Sequence, residues 1–209
     1  MQRTAADTTG AQPDINWREI NYFGKRVFDV TLAILTIALA SVPMLLIAMM
    51  VKLSSHGPVL YWSERIGRDN NIFSMPKFRT MLIETPTVAT HILETPNNYL
   101  TPIGGVLRKA SLDELPQIWS ILIGRMSFVG PRPALFNQTD LIDLRSESGV
   151  SKLVPGLTGW AQINGRDELP IPDKVQLDVE YMNNISLLMD MKILCFTLYN
   201  VLVRDGISH

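Results

Sequence analysis

Cysteine is all but missing from this chain of 209 residues: Cys195 stands alone, so no intrachain disulfide and no cysteine-built zinc or iron–sulfur centre is available. Histidine is nearly as scarce. His56, His91 and His209 are scattered, with no helical His-x-x-x-His pair, which leaves a hard cation held by carboxylates and phosphates as the metal chemistry the composition supports. Net charge is small too: 19 Lys and Arg against 20 Asp and Glu give −1, so no bulk field draws nucleic acid, and phosphate affinity has to come from local clusters. Charge of either sign is thin. It makes up 19% of the residues, where soluble domains carry about 25%, while apolar residues reach 46% and mean hydropathy is positive. That balance points to membrane association. The length fits one domain with a short appendage and argues against two catalytic domains.

Residues 1–16 are small and polar with no apolar period, which reads as a flexible tail. They are not a signal peptide, because the apolar run comes too late and no small-residue cleavage pattern follows it. From Val30 to Val51, 22 consecutive residues carry no charge. A straight helix of that length measures about 33 Å, close to the hydrocarbon thickness of a bilayer. Two features speak against a simple span. Pro43 removes a backbone hydrogen bond past the middle of the run, with Ser41 two residues earlier able to bond a released carbonyl. Basic residues also flank both ends, Arg18, Lys25 and Arg26 before and Lys52, Arg65 and Arg68 after, which by the positive-inside rule places both ends on the cytoplasmic side. The economical expectation is a re-entrant helix broken at Ser41 and Pro43 that dips into one leaflet and returns, with a proline-kinked span as the competing reading. Trp17, Tyr22 and Phe23 on one side and Tyr61 and Trp62 on the other would share one interface.

The chain therefore divides into a tail (1–16), an interfacial and re-entrant membrane segment (17–55) and a compact cytoplasmic domain (56–209) of α/β class, mainly helical with short strands. Strands are expected at 59–62 and 72–75 around a charged turn at 64–71, and a loop with one short helix at 84–102. A helix is expected over 112–123, where Ser111 and Glu114 have capping-box spacing and Gly124 can end it. Residues 134–147 read as helix, 154–172 as an ordered loop carrying one strand, and 174–204 as helix that is either core or a membrane-surface face.

Polar groups concentrate in four blocks: Lys77 and Arg79; Arg108, Lys109, Asp113, Glu114 and Gln117; Gly130-Pro131-Arg132-Pro133; and Gly156 to Arg166. The two prolines restrict the backbone around Arg132, so its guanidinium loses less entropy on gripping a phosphate; the bland alternative is an arginine snorkelling to a headgroup or holding a helix carboxylate. Asp113 and Glu114 can be first-turn acids that complement a helix dipole. They can equally form a protected pair, which needs a cation or a divalent metal beside it. A carboxylate is ionised at neutral pH and can attack an activated phosphorus without a general base.

The strings KRVFDV, ERIG, KFRTM, LRKASLDELPQ, GRMSFVGPRPAL and PGLTGWAQINGR, with the late pair Asp178 and Tyr181, stand in the order and spacing of the bacterial sugar transferases, the monotopic phosphoglycosyl transferases. Over residues 25–208 the chain resembles the minimal form of that family. The resemblance implies transfer of a phospho-sugar from a UDP-sugar to polyprenol (undecaprenyl) phosphate at the bacterial inner membrane, the first membrane step of glycoconjugate biosynthesis. It implies that Asp113 is the nucleophile and a Mg²⁺ ligand, that Glu114 completes the dyad, and that Arg108, Arg132, Lys77 and Arg79 hold or line the phosphate site. On the nucleotide-sugar side it suggests Gln162, Asn164, Arg166, Gln117 and Tyr181. One departure concerns the membrane break: the family commonly has Ser directly before Pro, whereas Val42 separates Ser41 from Pro43 here. The competing classes are a lipid-headgroup-binding scaffold, which releases no UMP, and a Mg²⁺-dependent nucleotide-sugar phosphohydrolase, which needs no acceptor. The sequence names no sugar and leaves the oligomeric state open, a homo-oligomer included.

Overall fold

The computed structural model describes residues 22–85, 96–165 and 169–202, so the tail, Arg18 and most of the 84–102 loop lie outside the described residues. In lipid or in a core, a long uncharged run satisfies its backbone as a helix, and Tyr22–Ser54 forms one (α1) of 33 residues, about 50 Å long. At the expected break the backbone stays helical. The helix continues through Pro43, which takes away the donor to the Leu39 carbonyl, while the Ser41 hydroxyl donates to the Ala38 carbonyl at 3.0 Å rather than to the released one. One stripe of α1 faces the rest of the chain: Asp29, Ala33, Ile47 and Val51 are buried at helical spacing. The stripe belongs to two different cores. Ala33 joins Phe73, Ile121, Phe128 and Ile193, whereas Ile47 and Val51 join Phe78 and Leu107. Between the two, Ser41, Val42 and Pro43 are exposed.

Lys25 and Arg26, which precede the apolar run, are tied into the fold. Lys25 is ion-paired with buried Asp190 at 2.5 Å, and Arg26 donates to the carbonyls of Ile121 and Leu122 at 2.5 and 2.6 Å. Asp29 accepts from the backbone N–H of Phe128 at 3.1 Å.

Strands Leu60–Ile66 (β1) and Ile72–Phe78 (β2) form an antiparallel hairpin that sets Tyr61 opposite Lys77. Both strands outrun expectation because the turn is short, with Asp69 and Asn70 in the left-handed region at φ 54 and 60. Short helices Gly104–Lys109 (α2) and Ile118–Leu122 (α3) follow, joined through a 3-10 turn. Ser127–Val129 (β3) then pairs in parallel with Gly156–Thr158 (β4), with Thr139–Glu147 (α4) between them. The one strand expected in 154–172 is β4, with Trp160–Ile163 (α5) after it. The long helix expected near the end is two, Ile171–Asn183 (α6) and Leu187–Leu202 (α7). The fold is thus mostly helical with short strands and one long apolar helix.

Candidate active site

The expected helix over 112–123 begins instead as a 3-10 turn, Leu112–Gln117, because Ser111 takes a left-handed conformation (φ 54) and Pro116 offers no backbone donor. No capping box forms. Ser111 makes no side-chain cap, and Glu114 is used elsewhere. Leu112 and Leu115 pack against the core that holds Ile47 and Val51, which seats the turn beside the second half of α1.

Glu114 Oε1 accepts from Lys77 Nζ at 2.7 Å and from Arg132 Nη2 at 2.8 Å. Burial works against the Glu114 charge, but Arg132 and Lys77 overcome it and hold the carboxyl well below the usual carboxylate range. Asp113, one residue earlier and 7% exposed, goes the other way. Burial pushes its carboxyl up from the ordinary value of 3.8; Lys77 and Arg108 draw it back, Glu114 opposes them, and the hydrogen bond acting on it comes from its own backbone N–H. Lys77 is itself pushed down by burial, against the pull of Glu114. Two adjacent carboxylates driven apart in this way suit two different tasks. Glu114 is engaged by the two cations at hydrogen-bond distance, while Asp113 feels Lys77 and Arg108 through charge.

Arg108 sits on α2, its Nε on Thr80 Oγ1 at 3.1 Å and its Nη2 against Met81 Sδ at 3.3 Å, and its charge is felt at Asp113. Arg132 follows β3 on a loop pressed against β4. A Cβ at Gly156 would lie 2.1 Å from the Gly130 nitrogen and one at Gly159 2.1 Å from the Gly130 oxygen, so only glycine allows the two loops to meet. The Arg132 side chain is 35% exposed, so solvent reaches it.

Arg79 is not in this cluster. Its guanidinium donates to the carbonyls of Ser55 and His56 and to Ser55 Oγ, anchoring the segment that follows α1. Tyr181 is buried, its hydroxyl bonded to Asp190 at 2.7 Å and to the Val129 carbonyl at 3.3 Å, which makes it a tie beneath β3 rather than a nucleotide contact. Gln117 is 2% exposed, and its Nε2 has no partner among the described residues. Gln162 reaches the Leu157 carbonyl at 3.4 Å, with Oε1 buried and without a partner, and Asn164 bonds the Trp160 carbonyl at 2.8 Å. Arg166 lies outside the described residues. The buried pair Arg145 and Asp178 was missed, although its acid stands in a string already singled out. So was Asp190, whose signal is a lone acid inside an apolar helix.

Among the described residues no group of three or more His, Cys, Asp or Glu could hold a metal. With Glu114 engaged, Asp113 offers one carboxylate, which fits a Mg²⁺ that takes its other ligands from substrate phosphates and water.

Comparison with known proteins supplies the family. The bacterial sugar transferase family model matches residues 20–204. The chain is 40% identical over 186 residues to the uncharacterized sugar transferase EpsL of Bacillus subtilis (strain 168), covering 88% of this chain and 90% of that one. It is 38% identical over 195 residues to the UDP-glucose:undecaprenyl-phosphate glucose-1-phosphate transferase of Escherichia coli (strain K12), covering 90% of this chain and 42% of that longer one. It is 33% identical over 189 residues to the UDP-N-acetylgalactosamine-undecaprenyl-phosphate N-acetylgalactosaminephosphotransferase of Aeromonas hydrophila, covering 88% and 45%. With the family model running from ahead of α1 through the last described residue, the chain belongs to the bacterial sugar transferase family and is a sugar transferase.

Proposed function

We propose that the protein is a phosphoglycosyl transferase that moves a sugar 1-phosphate from a UDP-sugar to polyprenol (undecaprenyl) phosphate, at the cytoplasmic face of a bacterial inner membrane. The observation that carries this is the buried Asp113, whose charge Lys77 and Arg108 favour against burial, with its neighbour Glu114 already locked between Lys77 and Arg132. In the first step an Asp113 oxygen attacks the β-phosphorus of the donor. An aspartyl O–P bond forms, the bond from that phosphorus to the bridging oxygen breaks, and UMP leaves with the oxygen. In the second step a phosphate oxygen of the polyprenol attacks the same phosphorus, the aspartyl bond breaks, and polyprenyl-diphosphate-sugar leaves with Asp113 regenerated as a carboxylate. No proton has to move in either step. Arg132 and Arg108 hold the diphosphate charge through the transfer, and Arg132 can do so bidentately from a backbone fixed by two prolines. Asp113 is the residue that would hold a Mg²⁺, which would supply further charge neutralisation at the donor phosphates.

We also propose that α1 is re-entrant. Its first half packs in one core and its second half in another of the same domain, while Ser41, Val42 and Pro43 at its middle are exposed, an arrangement suited to a helix whose ends share one side and whose centre is deepest in lipid. The acceptor's isoprenoid stays in that leaflet while its phosphate meets a water-soluble donor at the interface.

The relatives named above use different sugars, so the donor is settled by a panel. UDP-glucose, UDP-galactose and UDP-N-acetylgalactosamine are incubated with undecaprenyl phosphate and Mg²⁺, and UMP is measured. The expected result is acceptor-dependent UMP from the wild type and essentially none from Asp113→Asn, with radiolabelled phospho-sugar trapped on the wild-type protein when acceptor is withheld. An active Asn variant ends the covalent route. Without acceptor the two-step route releases at most one UMP per protein; repeated UMP turnover without acceptor would mean a phosphohydrolase, and liposome binding without UMP would mean a scaffold.

A further inference from the structure

The segment Pro131-Arg132-Pro133 has few handles by which a fold can fix it, since neither proline has a backbone N–H to donate. Its three backbone carbonyls are all taken. The Pro131 carbonyl accepts from Gly156 N–H at 2.9 Å, the Arg132 carbonyl from Arg145 Nη1 at 2.7 Å, and the Pro133 carbonyl from Arg65 Nη1 at 3.3 Å. Of the three donors, Arg145 bonds the arginine itself and is the most elaborately supported. It is 7% exposed, and its Nε and Nη2 both bond Asp178 Oδ2, at 3.0 and 2.6 Å, from an aspartate that is 1% exposed. A buried guanidinium whose charge is satisfied on one edge and whose other edge meets a single carbonyl is an expensive arrangement for a loop that could have been held by a backbone amide.

We infer that Arg145, oriented by Asp178, is a positioning residue that presets the Arg132 backbone so that its guanidinium meets the donor diphosphate without a search. This rests on the reading above in which Arg132 grips donor phosphate. Arg145 touches no substrate. It acts through Arg132, and holding a group within a fraction of an ångström of its productive place is worth far more than one hydrogen bond: misplacement by about 1 Å can cost on the order of 100-fold.

The inference makes a claim that a merely structural pair does not. If Arg145 serves binding only through Arg132, its loss costs nothing further once the Arg132 side chain is gone. The Arg132 carbonyl survives in Arg132→Ala, so any contribution of Arg145 to stability survives with it. The test measures the dissociation constant of UDP in the presence of Mg²⁺, together with Tm, on the full chain in four forms: wild type, Arg132→Ala, Arg145→Gln and the double variant. The same square is built with Asp178→Asn, which keeps the side-chain shape in case Arg145→Gln does not fold. The expected result is a roughly 10-fold or greater weakening by Arg145→Gln alone, less than about a 2-fold change on adding it to Arg132→Ala, and an equal fall in Tm in both backgrounds. Equal weakening in both backgrounds, or unaltered affinity in Arg145→Gln, overturns the inference and makes the pair structural. No UDP binding by the wild type, or full affinity in Arg132→Ala, strikes the diphosphate reading itself.

Discussion

At Asp113 the fold keeps a carboxylate where its charge is disfavoured, and at Glu114 it keeps one where charge is demanded. The two should answer a neutral isostere with opposite signs. A folded pKa raised above 3.8 means that the stabilising contribution of protonated Asp113 is full below the unfolded value and lost as pH rises through the folded one. Asp113→Asn is therefore expected to raise Tm at pH 7, by about 2–4 °C for each kcal/mol relieved, with the gap closing toward acid. A lower Tm at neutral pH would contradict it. Glu114 has a depressed pKa, so its contribution is present above 4.5 and lost only as pH falls through a much lower folded value. Glu114→Gln takes from Lys77 and Arg132 the carboxylate that bridges them, and unfolding by denaturant should show a loss of about 3–5 kcal/mol. The same field governs rate. Transfer needs ionised Asp113, so kcat/KM falls on the acid side as pH drops through the raised value, and Arg108→Gln, which removes a cation favouring that charge, should move this limb to higher pH. An unmoved limb would mean that Arg108 acts elsewhere. The pair itself was legible in the sequence as adjacent acids amid cations. What it could not tell was that Ser111 turns left-handed and that the capping glutamate is spent on Lys77 of the hairpin, a partner 37 positions away.

In α1 the apolar run was legible at a glance and its partners were not. Lys25, Arg26 and Asp29 look, in sequence, like the polar margin of a membrane segment; in the fold they bond Asp190, the end of α3 and the first residues of β3. Hydropathy sees the side chains of one helix, while these contacts are made across 95 to 165 positions of chain. These contacts support the proposed topology, because a helix pinned at Lys25 and again at Val51 to one domain would have both ends on that domain's side. In cells, cysteines placed singly at Phe23 and Leu53, with Cys195 replaced by Ser, should both resist an impermeant maleimide added outside and both react after permeabilisation. Labelling of one end from outside would make α1 a span.

Across the whole molecule, α1 is less an anchor attached to an enzyme than a wall of its core. By sequence the chain divides at 55/56, next to the turn signal His56-Gly57-Pro58 and one residue past the end of α1 at Ser54. Packing ignores that division. Ala33 completes the core that backs β3 and α3, and Ile47 and Val51 complete the one that seats Leu112 and Leu115 around the Asp113 turn. Ile47 and Val51 each contribute about 1.5–3 kcal/mol by burial, a large share of the roughly 5–15 kcal/mol by which a domain is stable. A chain starting at residue 56 also leaves buried Asp190 without Lys25, and removing one member of a buried pair is costly in its own right. Such a chain is expected to lose its near-ultraviolet circular dichroism and cooperative melting in detergent, and with them all UDP affinity, rather than to become a soluble active enzyme. The discriminating comparison is Leu39→Ser with Val42→Ser, which alters only exposed positions at the helix centre. If α1 is core at both ends and lipid-facing at its middle, that variant folds with wild-type Tm in detergent and loses membrane association, whereas the truncated chain never folds. A truncated chain that melts cooperatively and binds UDP would show that the catalytic fold closes without its first helix.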